Sequence, residues 1–312
     1  FSQSIFDIIT LLEVKFMLYI GSHTSYLKDK GLLGVVNESI SYGANIFMFY
    51  TGSNQSTLRF PIDKELTKKA HEKMLEYGLD KTKCIVHAPF IINLANNTSE
   101  EKYEFYINFL RQELNRCIEL DIRNIVLHPG SYTTLDRETG IKNIANGLNI
   151  ALDGIDGVNL LLEFMSGKGT EVGTSISDLK EIIDLLDQSI KEKVFVCLDT
   201  CHMNDAGIDI SKFDEFLDDF DKSIGINKIK CIHVNDSMNP IGSHKDRHAN
   251  LGYGTIGFDN LINVIYNKRL DNIPKILETP WINRNEKDAY APYKYEIEMI
   301  KDKKFNDYIN SK

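Results

Sequence analysis

Leu160-Leu161-Leu162-Glu163 and Val196-Cys197-Leu198-Asp199 are short apolar runs that each stop on a carboxylate. Four more segments share this build and also end on a metal-type ligand: Cys84-Ile85-Val86-His87, Ile125-Val126-Leu127-His128, Lys230-Cys231-Ile232-His233 and Lys275-Ile276-Leu277-Glu278. In chain order the six ends lie 41, 35, 36, 34 and 45 residues apart, the length of a strand, a helix and two loops. Unalternated apolar runs suit strands covered on both faces, and parallel strands need long crossovers to reach one another. A closed parallel barrel puts every strand C-terminus on one rim. The spacing therefore predicts a single cluster of His and carboxylate side chains delivered by six strands, the donor set of a multi-metal catalytic site.

Ahead of these runs, Lys15–Ile20 reads as a first strand running on to Gly21-Ser22-His23, and Ala44–Tyr50 as a second. Helical patterns lie between the runs. Glu100–Leu120 places Tyr103, Tyr106, Ile107, Leu110, Leu114, Cys117 and Ile118 at a helical period, with Ser99 as its cap. Ser177-Asp178 opens another helix. Phe213, Phe216, Leu217 and Phe220 form the inner face of a third, and the acidic residues around Asp218 form its solvated side. Eight strand–helix units make an α/β chain with a (β/α)8 TIM barrel. The expected organisation is one catalytic domain over residues 17–312, with residues 1–16 an extension outside the fold. That extension is too short and too acidic for a membrane span, and it lacks a basic leader.

The chain has 312 residues, 42% of them hydrophobic, which is ample for one large core, and a net charge of −9 argues against bulk attraction to nucleic acid without excluding a local basic rim. The five cysteines show neither a CxxC pair nor a disulfide spacing. They read as reduced thiols packed as small apolar groups, Cys201 included.

Of eight histidines, His71 sits mid-helix and reads as a surface residue. A lone histidine at a strand end is more often a satisfied polar residue than a ligand. Three of them, joined by Glu163, Asp199 and Glu278 at equivalent ends, reverse that weighting. His202 lies a short turn beyond Asp199 and can reach over the same rim. Asp246-Arg247-His248 puts two donors on one side of an extended segment. With His202 they make three ligands and leave a fourth position open, the catalytic zinc pattern. Imidazole-rich ligation points to zinc, with manganese or iron in some positions. More ligands than one ion needs imply two or three ions, an arrangement suited to phosphodiester hydrolysis. Gly167-Lys168-Gly169-Thr170 and the glycine-rich segment from Gly252 to Gly257 are loops whose backbone could approach a phosphate.

Taken in order, these segments resemble the endonuclease IV family, zinc-dependent apurinic/apyrimidinic endonucleases of base-excision repair. The resemblance runs from about Met17 to the C-terminus. It rests on Ile20-Gly21-Ser22-His23, His87-Ala88-Pro89-Phe90-Ile91-Ile92-Asn93, Leu127-His128-Pro129-Gly130, Leu162-Glu163, Leu198-Asp199-Thr200-Cys201-His202, His233-Val234-Asn235-Asp236-Ser237, Asp246-Arg247-His248 and Leu277-Glu278-Thr279-Pro280. It implies a TIM barrel with three zinc ions: one on His87, His128 and Glu163, a second on Glu163, Asp199, His233 and Glu278, a third on His202, Asp246 and His248. Glu163 is then the bridging carboxylate that helps to hold the hydroxide nucleophile. The implied partner is duplex DNA carrying abasic sites or 3′-blocked ends. The implied reaction cleaves the phosphodiester 5′ to the abasic site, leaving a 3′-hydroxyl and a 5′-deoxyribose phosphate, with 3′-repair diesterase activity alongside. Phe90 and Ile91 fall at positions where the family inserts side chains into DNA, and Gln55 is the nearest counterpart of a third, an arginine in some members. A monomer acting in the cytoplasm, of bacterial type and on the nucleoid, is the expected setting. Two rivals remain at this point: a sugar isomerase or epimerase on the same barrel, and a non-catalytic binder of damaged DNA.

Overall fold

The computed structural model describes residues 17–54 and 56–311. The extension expected over residues 1–16 and the DNA-contacting candidate Gln55 lie outside the described residues. Eight strands close into a parallel barrel: β1 (Ile20–His23), β2 (Ile46–Phe49), β3 (Ile85–His87), β4 (Asn124–Leu127), β5 (Asn159–Glu163), β6 (Val194–Asp199), β7 (Ile229–His233) and β8 (Lys275–Leu277). They follow one another in chain order around the barrel, and β8 closes it against β1. This is the (β/α)8 TIM barrel that the spacing predicts.

The first strand starts at Ile20, with residues 17–19 outside it, while Lys15, its expected start, lies outside the described residues. The reason is local. The Asn45 side chain accepts from Ile20 N at 2.9 Å and donates to the Leu18 carbonyl at 2.8 Å, so a side chain takes the place of a strand partner there. One step on, a Cβ on Gly21 would lie 2.1 Å from the Ile46 carbonyl oxygen. Only glycine lets β1 approach β2 so closely.

Among the described residues, the α-helices of seven residues or more are α1 (Gly31–Ser41), α2 (Lys64–Tyr77), α3 (Glu100–Leu120), α4 (Arg137–Leu152), α5 (Ile176–Asp184), α6 (Thr200–Ala206), α7 (Phe213–Ser223), α8 (Phe258–Ile265) and α9 (Tyr293–Asp302). Ser99 caps α3 as expected, its hydroxyl accepting from Lys102 N at 3.3 Å. Helix α5 begins at Ile176, before the Ser177-Asp178 start expected, because Ser175 takes the capping role and accepts from Asp178 N at 3.1 Å. The Asp178 carboxylate turns back instead and accepts from Gly173 N and Thr174 N at 2.9 and 3.0 Å. On α7, Phe213, Phe216, Leu217 and Phe220 are all buried. Each such side chain is worth roughly 1.5–3 kcal/mol of burial, which secures a helix whose outer face is almost wholly acidic. No helix among the described residues is long and apolar enough to cross a membrane.

Candidate metal centre

Because β3 to β8 run in parallel, their C-terminal ends form one rim. His87, Glu163, Asp199 and His233 are the last residues of β3, β5, β6 and β7, while His128 and Glu278 follow β4 and β8 by one residue. His202 comes from α6, which starts directly after Asp199. Asp199 is itself the helix cap, Oδ1 accepting from His202 N at 2.8 Å, so one carboxylate fixes the next ligand's backbone. His248 sits in a two-residue antiparallel ladder in which Ser237 faces His248 and Asp236 faces Ala249.

The nine candidate ligands converge in three groups: His87, His128 and Glu163; Glu163, Asp199, His233 and Glu278; His202, Asp246 and His248. Within each group one donor atom per residue lies within 4.8 Å of every other. Glu163 is the shared member. Its Oε2 is 3.2 Å from His87 Nε2 and 3.0 Å from His128 Nε2, and its Oε1 is 3.1 Å from His233 Nδ1 and 3.3 Å from His202 Nδ1. His233 Nδ1 also lies 3.0 Å from Glu278 Oε2. In the third group His202 Nε2 is 3.1 Å and His248 Nε2 3.5 Å from Asp246 Oδ1.

The ring orientations say what belongs among these atoms. A carbonyl oxygen only accepts, so a ring nitrogen facing one carries the proton. His87 Nδ1 faces the Ala88 carbonyl at 2.8 Å, His202 Nδ1 the Phe164 carbonyl at 3.0 Å, and His248 Nδ1 the Glu278 carbonyl at 3.2 Å. In each neutral ring Nε2 is then the lone-pair nitrogen, and it points at carboxylates, which are also acceptors. His248 Nε2 is buried and has no hydrogen-bond partner. Lone pairs facing carboxylates across 3–4 Å require a cation between them. The residues present therefore fit a cluster of divalent ions.

Asn235 braces the second group, its Nδ2 donating to Asp199 Oδ2 at 2.7 Å and its Oδ1 accepting from Glu278 N at 2.9 Å. Without ions, protons take the cationic role. Burial opposes charge on His128 and His202, yet Glu163 raises the first, and Asp199, Asp246 and Glu163 raise the second well above its ordinary value. Burial is likewise overcome at His233, by Cys197, Glu278 and Glu163.

Phe90 and Ile91, 52% and 38% exposed, stand on the loop after β3 as apolar side chains open to solvent. The Phe90 ring centroid is 5.2 Å from that of His128 and 5.6 Å from that of Tyr50, placing it at the mouth of the cluster. A cavity of about 470 Å³ opens beside the ligands, lined by His23, Tyr50, Phe90, His248, Glu278 and Arg284 among others.

His23 is the site histidine to which the sequence reading gives no role. It ends β1 as the candidate ligands end their strands, so the signal was present. Its Nε2 is buried without a partner. Burial, opposed by Glu278 and reinforced by His87 and His233, pushes its pKa down to about 4, so the ring is neutral.

Two expectations change. The glycine-rich segment from Gly252 to Gly257 does not hold its N–H groups open for a phosphate. Gly252 N and Gly254 N donate to Asp236 Oδ2 at 3.0 Å each, and Ile256 N donates to Asp236 Oδ1 at 2.9 Å. The anion it wraps is internal. His71 is not a plain surface residue, since its Nε2 meets the Leu120 carbonyl at 3.0 Å and ties α2 to the end of α3. All five cysteines are free and buried, and burial pushes the Cys201 thiol up, away from reactivity.

Residues 36–303 match the family described as the xylose isomerase-like TIM barrel. The probable endonuclease 4 of Mycoplasma capricolum subsp. capricolum is 48% identical over 289 residues, 92% of this chain and 98% of that protein. The chain belongs to the endonuclease IV family. As a member of the endonuclease IV family it is a nuclease-type hydrolase. Endonuclease IV from Thermus thermophilus superposes with a TM-score of 0.75 at 27% identity, covering 91% of this chain and 98% of that one. A D-tagatose 3-epimerase-like protein superposes with a TM-score of 0.65 at 19% identity over 91% of this chain and 96% of that one, which shows a shared barrel only.

Proposed function

We propose that this endonuclease IV family member hydrolyses the phosphodiester 5′ to abasic sites in duplex DNA, leaving a 3′-hydroxyl and a 5′-deoxyribose phosphate, and clears 3′-blocking groups in base-excision repair. The observation that carries this reading is the shared carboxylate of Glu163, with imidazole nitrogens from all three donor groups within 3.3 Å of it. We assign one zinc to His87, His128 and Glu163, one to Glu163, Asp199, His233 and Glu278, and one to His202, Asp246 and His248, with manganese or iron an alternative in some positions. Divalent ions bound there supply Lewis-acid polarisation of the phosphoryl oxygen and a water nucleophile at neutral pH. Glu163 would accept from and orient that water. His87, His202 and His248 keep their Nε2 lone pairs inward because backbone carbonyls hold Nδ1–H. No side-chain nucleophile is needed. The enzyme acts as a monomeric single catalytic domain over residues 17–312, in the cytoplasm.

The deciding experiment is elemental analysis together with nicking of a duplex that carries a stable abasic analogue. About three zinc ions per chain and a nick 5′ to the analogue are expected. Two manganese ions, sugar turnover and no nick would transfer the chain to the isomerases.

Phe90 and Ile91 are the wedge in this reading, and Gln55 the third DNA contact. Extruding a nucleotide costs a few kcal/mol and least where the base is already gone, so an apolar plug filling the gap favours abasic sites over intact duplex. Phe90→Ala is expected to cut the preference for abasic over intact duplex by about tenfold, with metal content unchanged. Equal preference in variant and parent, measured as a ratio of binding constants, would remove the wedge.

Metal uptake is expected to release protons. With no ion bound, the pKa values of His202 and His233 are raised well above the ordinary imidazole value and that of His128 is raised as well, which favours protonated rings. A coordinating imidazole must be neutral, so ions displace those protons and affinity falls as pH falls. Calorimetry of zinc binding in buffers of different ionisation enthalpy should show about two to three protons released per chain at pH 7. Release of fewer than one contradicts the expectation.

A further inference from the structure

We infer that Asp205 is a positioning residue that builds the His202–Asp246–His248 ion site by fixing the loop that carries Asp246; this rests on the three-ion reading above. Asp205 is fully buried, and among the described residues no cationic side chain pairs with it. Its negative charge is met by neutral donors instead. Oδ1 accepts from Ser237 Oγ at 2.7 Å and Asn204 Nδ2 at 3.2 Å. Oδ2 accepts from Asp246 N at 2.9 Å, Lys245 N at 3.3 Å and Asn239 Nδ2 at 3.3 Å. The Asp205 carbonyl also accepts from His244 N at 3.0 Å, and the Asn204 carbonyl from Gly242 N at 2.9 Å. Residues 242–246 are thus sewn to one end of α6.

That stitching matters because the loop is bent where it carries the ligand. His244 and Asp246 both have left-handed backbones, with φ of 52° and 55°. Neither is glycine, so the conformation persists only where surroundings hold it. The acceptor that holds the Asp246 backbone N–H is Asp205. The same helix presents His202, three residues earlier, whose Nε2 is 3.1 Å from Asp246 Oδ1. Helix α6 therefore supplies one ligand of the site as a side chain and locates a second through its carboxylate. His248, the third ligand of this site, is reached as well, because Ser237, which faces it in the ladder, donates its hydroxyl to Asp205 Oδ1, while the Glu278 carbonyl holds the ring. The other two groups sit on the barrel rim, and among the described residues their side chains make no hydrogen bond to Asp205.

The test is stepwise zinc binding to the full chain, measured by competition with a chromophoric chelator, with metal content after dialysis. In the parent, about three ions establish the reading on which the inference rests, and fewer would remove both. Asp205→Asn keeps the volume but turns a donor toward donors. It is expected to weaken one ion by about 10–100-fold and leave the other two unmoved. Asp205→Ala is expected to retain about two ions after dialysis. Added to His202→Ala, which already lacks that site, Asp205→Ala should lower the content no further, the mark of two changes acting on one site. Three affinities falling together, or further loss in the His202→Ala background, would show a general structural role and overturn the inference. Unchanged binding of every ion in Asp205→Asn would overturn it as well.

Discussion

Glu163→Gln is expected to lower cleavage of an abasic duplex by about 10³-fold or more, the scale seen when a group acting on the reacting atoms is removed. The fold should survive, because the amide has the same shape and sits in a cluster that no core packing depends on. Glu163 lies within 3.3 Å of four imidazole nitrogens, on His87, His128, His202 and His233. Burial alone would push its carboxyl pKa up, but His128, His233 and His202 hold it well below the usual carboxylate range, so it is charged at any working pH. The amide cannot carry that charge, and one of its two atoms is a donor facing ring nitrogens. Both groups that share the residue therefore weaken, and metal content should fall along with kcat. Duplex binding through the loop after β3 should change little, because Phe90 and Ile91 do not depend on this side chain. Full activity with an unchanged complement of ions would show that Glu163 bridges nothing.

The parts of this molecule that were legible from sequence are those with a period. Parallel strands buried on both faces give short unbroken apolar runs, and crossover helices set the interval between them. A ligand at each run's end is therefore legible before any coordinates exist. The structure brings those residues together even where the strand stops one residue short, as at His128 and Glu278, because the rim and not hydrogen-bonding pattern places them. His23 obeys the same rule and could have been read the same way. Asp205 and Asp236 could not. Asp236 is a buried carboxylate balanced by backbone N–H groups, most of them from a distant loop, and a backbone donor leaves no residue type to recognise; Asp205 takes two backbone N–H groups of a distant loop and neutral Ser and Asn side chains, which no spacing marks out. In sequence the glycine-rich loop looks like a phosphate cradle because the chemistry is the same; only the fold reveals that the anion is the chain's own. Gln55 and the first sixteen residues fall outside the described residues and add nothing to the comparison.

Asp236→Ala is expected to destabilise the protein by about 3–5 kcal/mol, the range for breaking a buried charged network, and this should be the largest stability loss among single substitutions near the rim. Asp236 is fully buried. Five backbone N–H groups converge on it: Ser237 N and Ile256 N on Oδ1 at 2.9 Å each, Gly252 N and Gly254 N on Oδ2 at 3.0 Å each, and Gly257 N shared between the two oxygens at 3.4 and 3.3 Å. Removing the carboxylate leaves all five without an acceptor; the bonds from Ser237 N and Ile256 N are buried, and each such orphaned donor costs about 1–3 kcal/mol, while those from the three glycines are part-buried, so water recovers part of their loss. The loop cannot simply close over the gap. A Cβ on Gly254 would lie 2.4 Å from both Asp236 Oδ1 and the Ser237 carbonyl, so the backbone is already at contact. Asp236→Asn keeps one acceptor oxygen and should lose markedly less. Urea unfolding of both variants measures the difference. The consequence reaches the metal centre through the ladder, since Asp236 and Ser237 are the strand on which His248 and Ala249 pair. If both variants unfold at the parent's urea midpoint, the loop is held by something other than this buried charge.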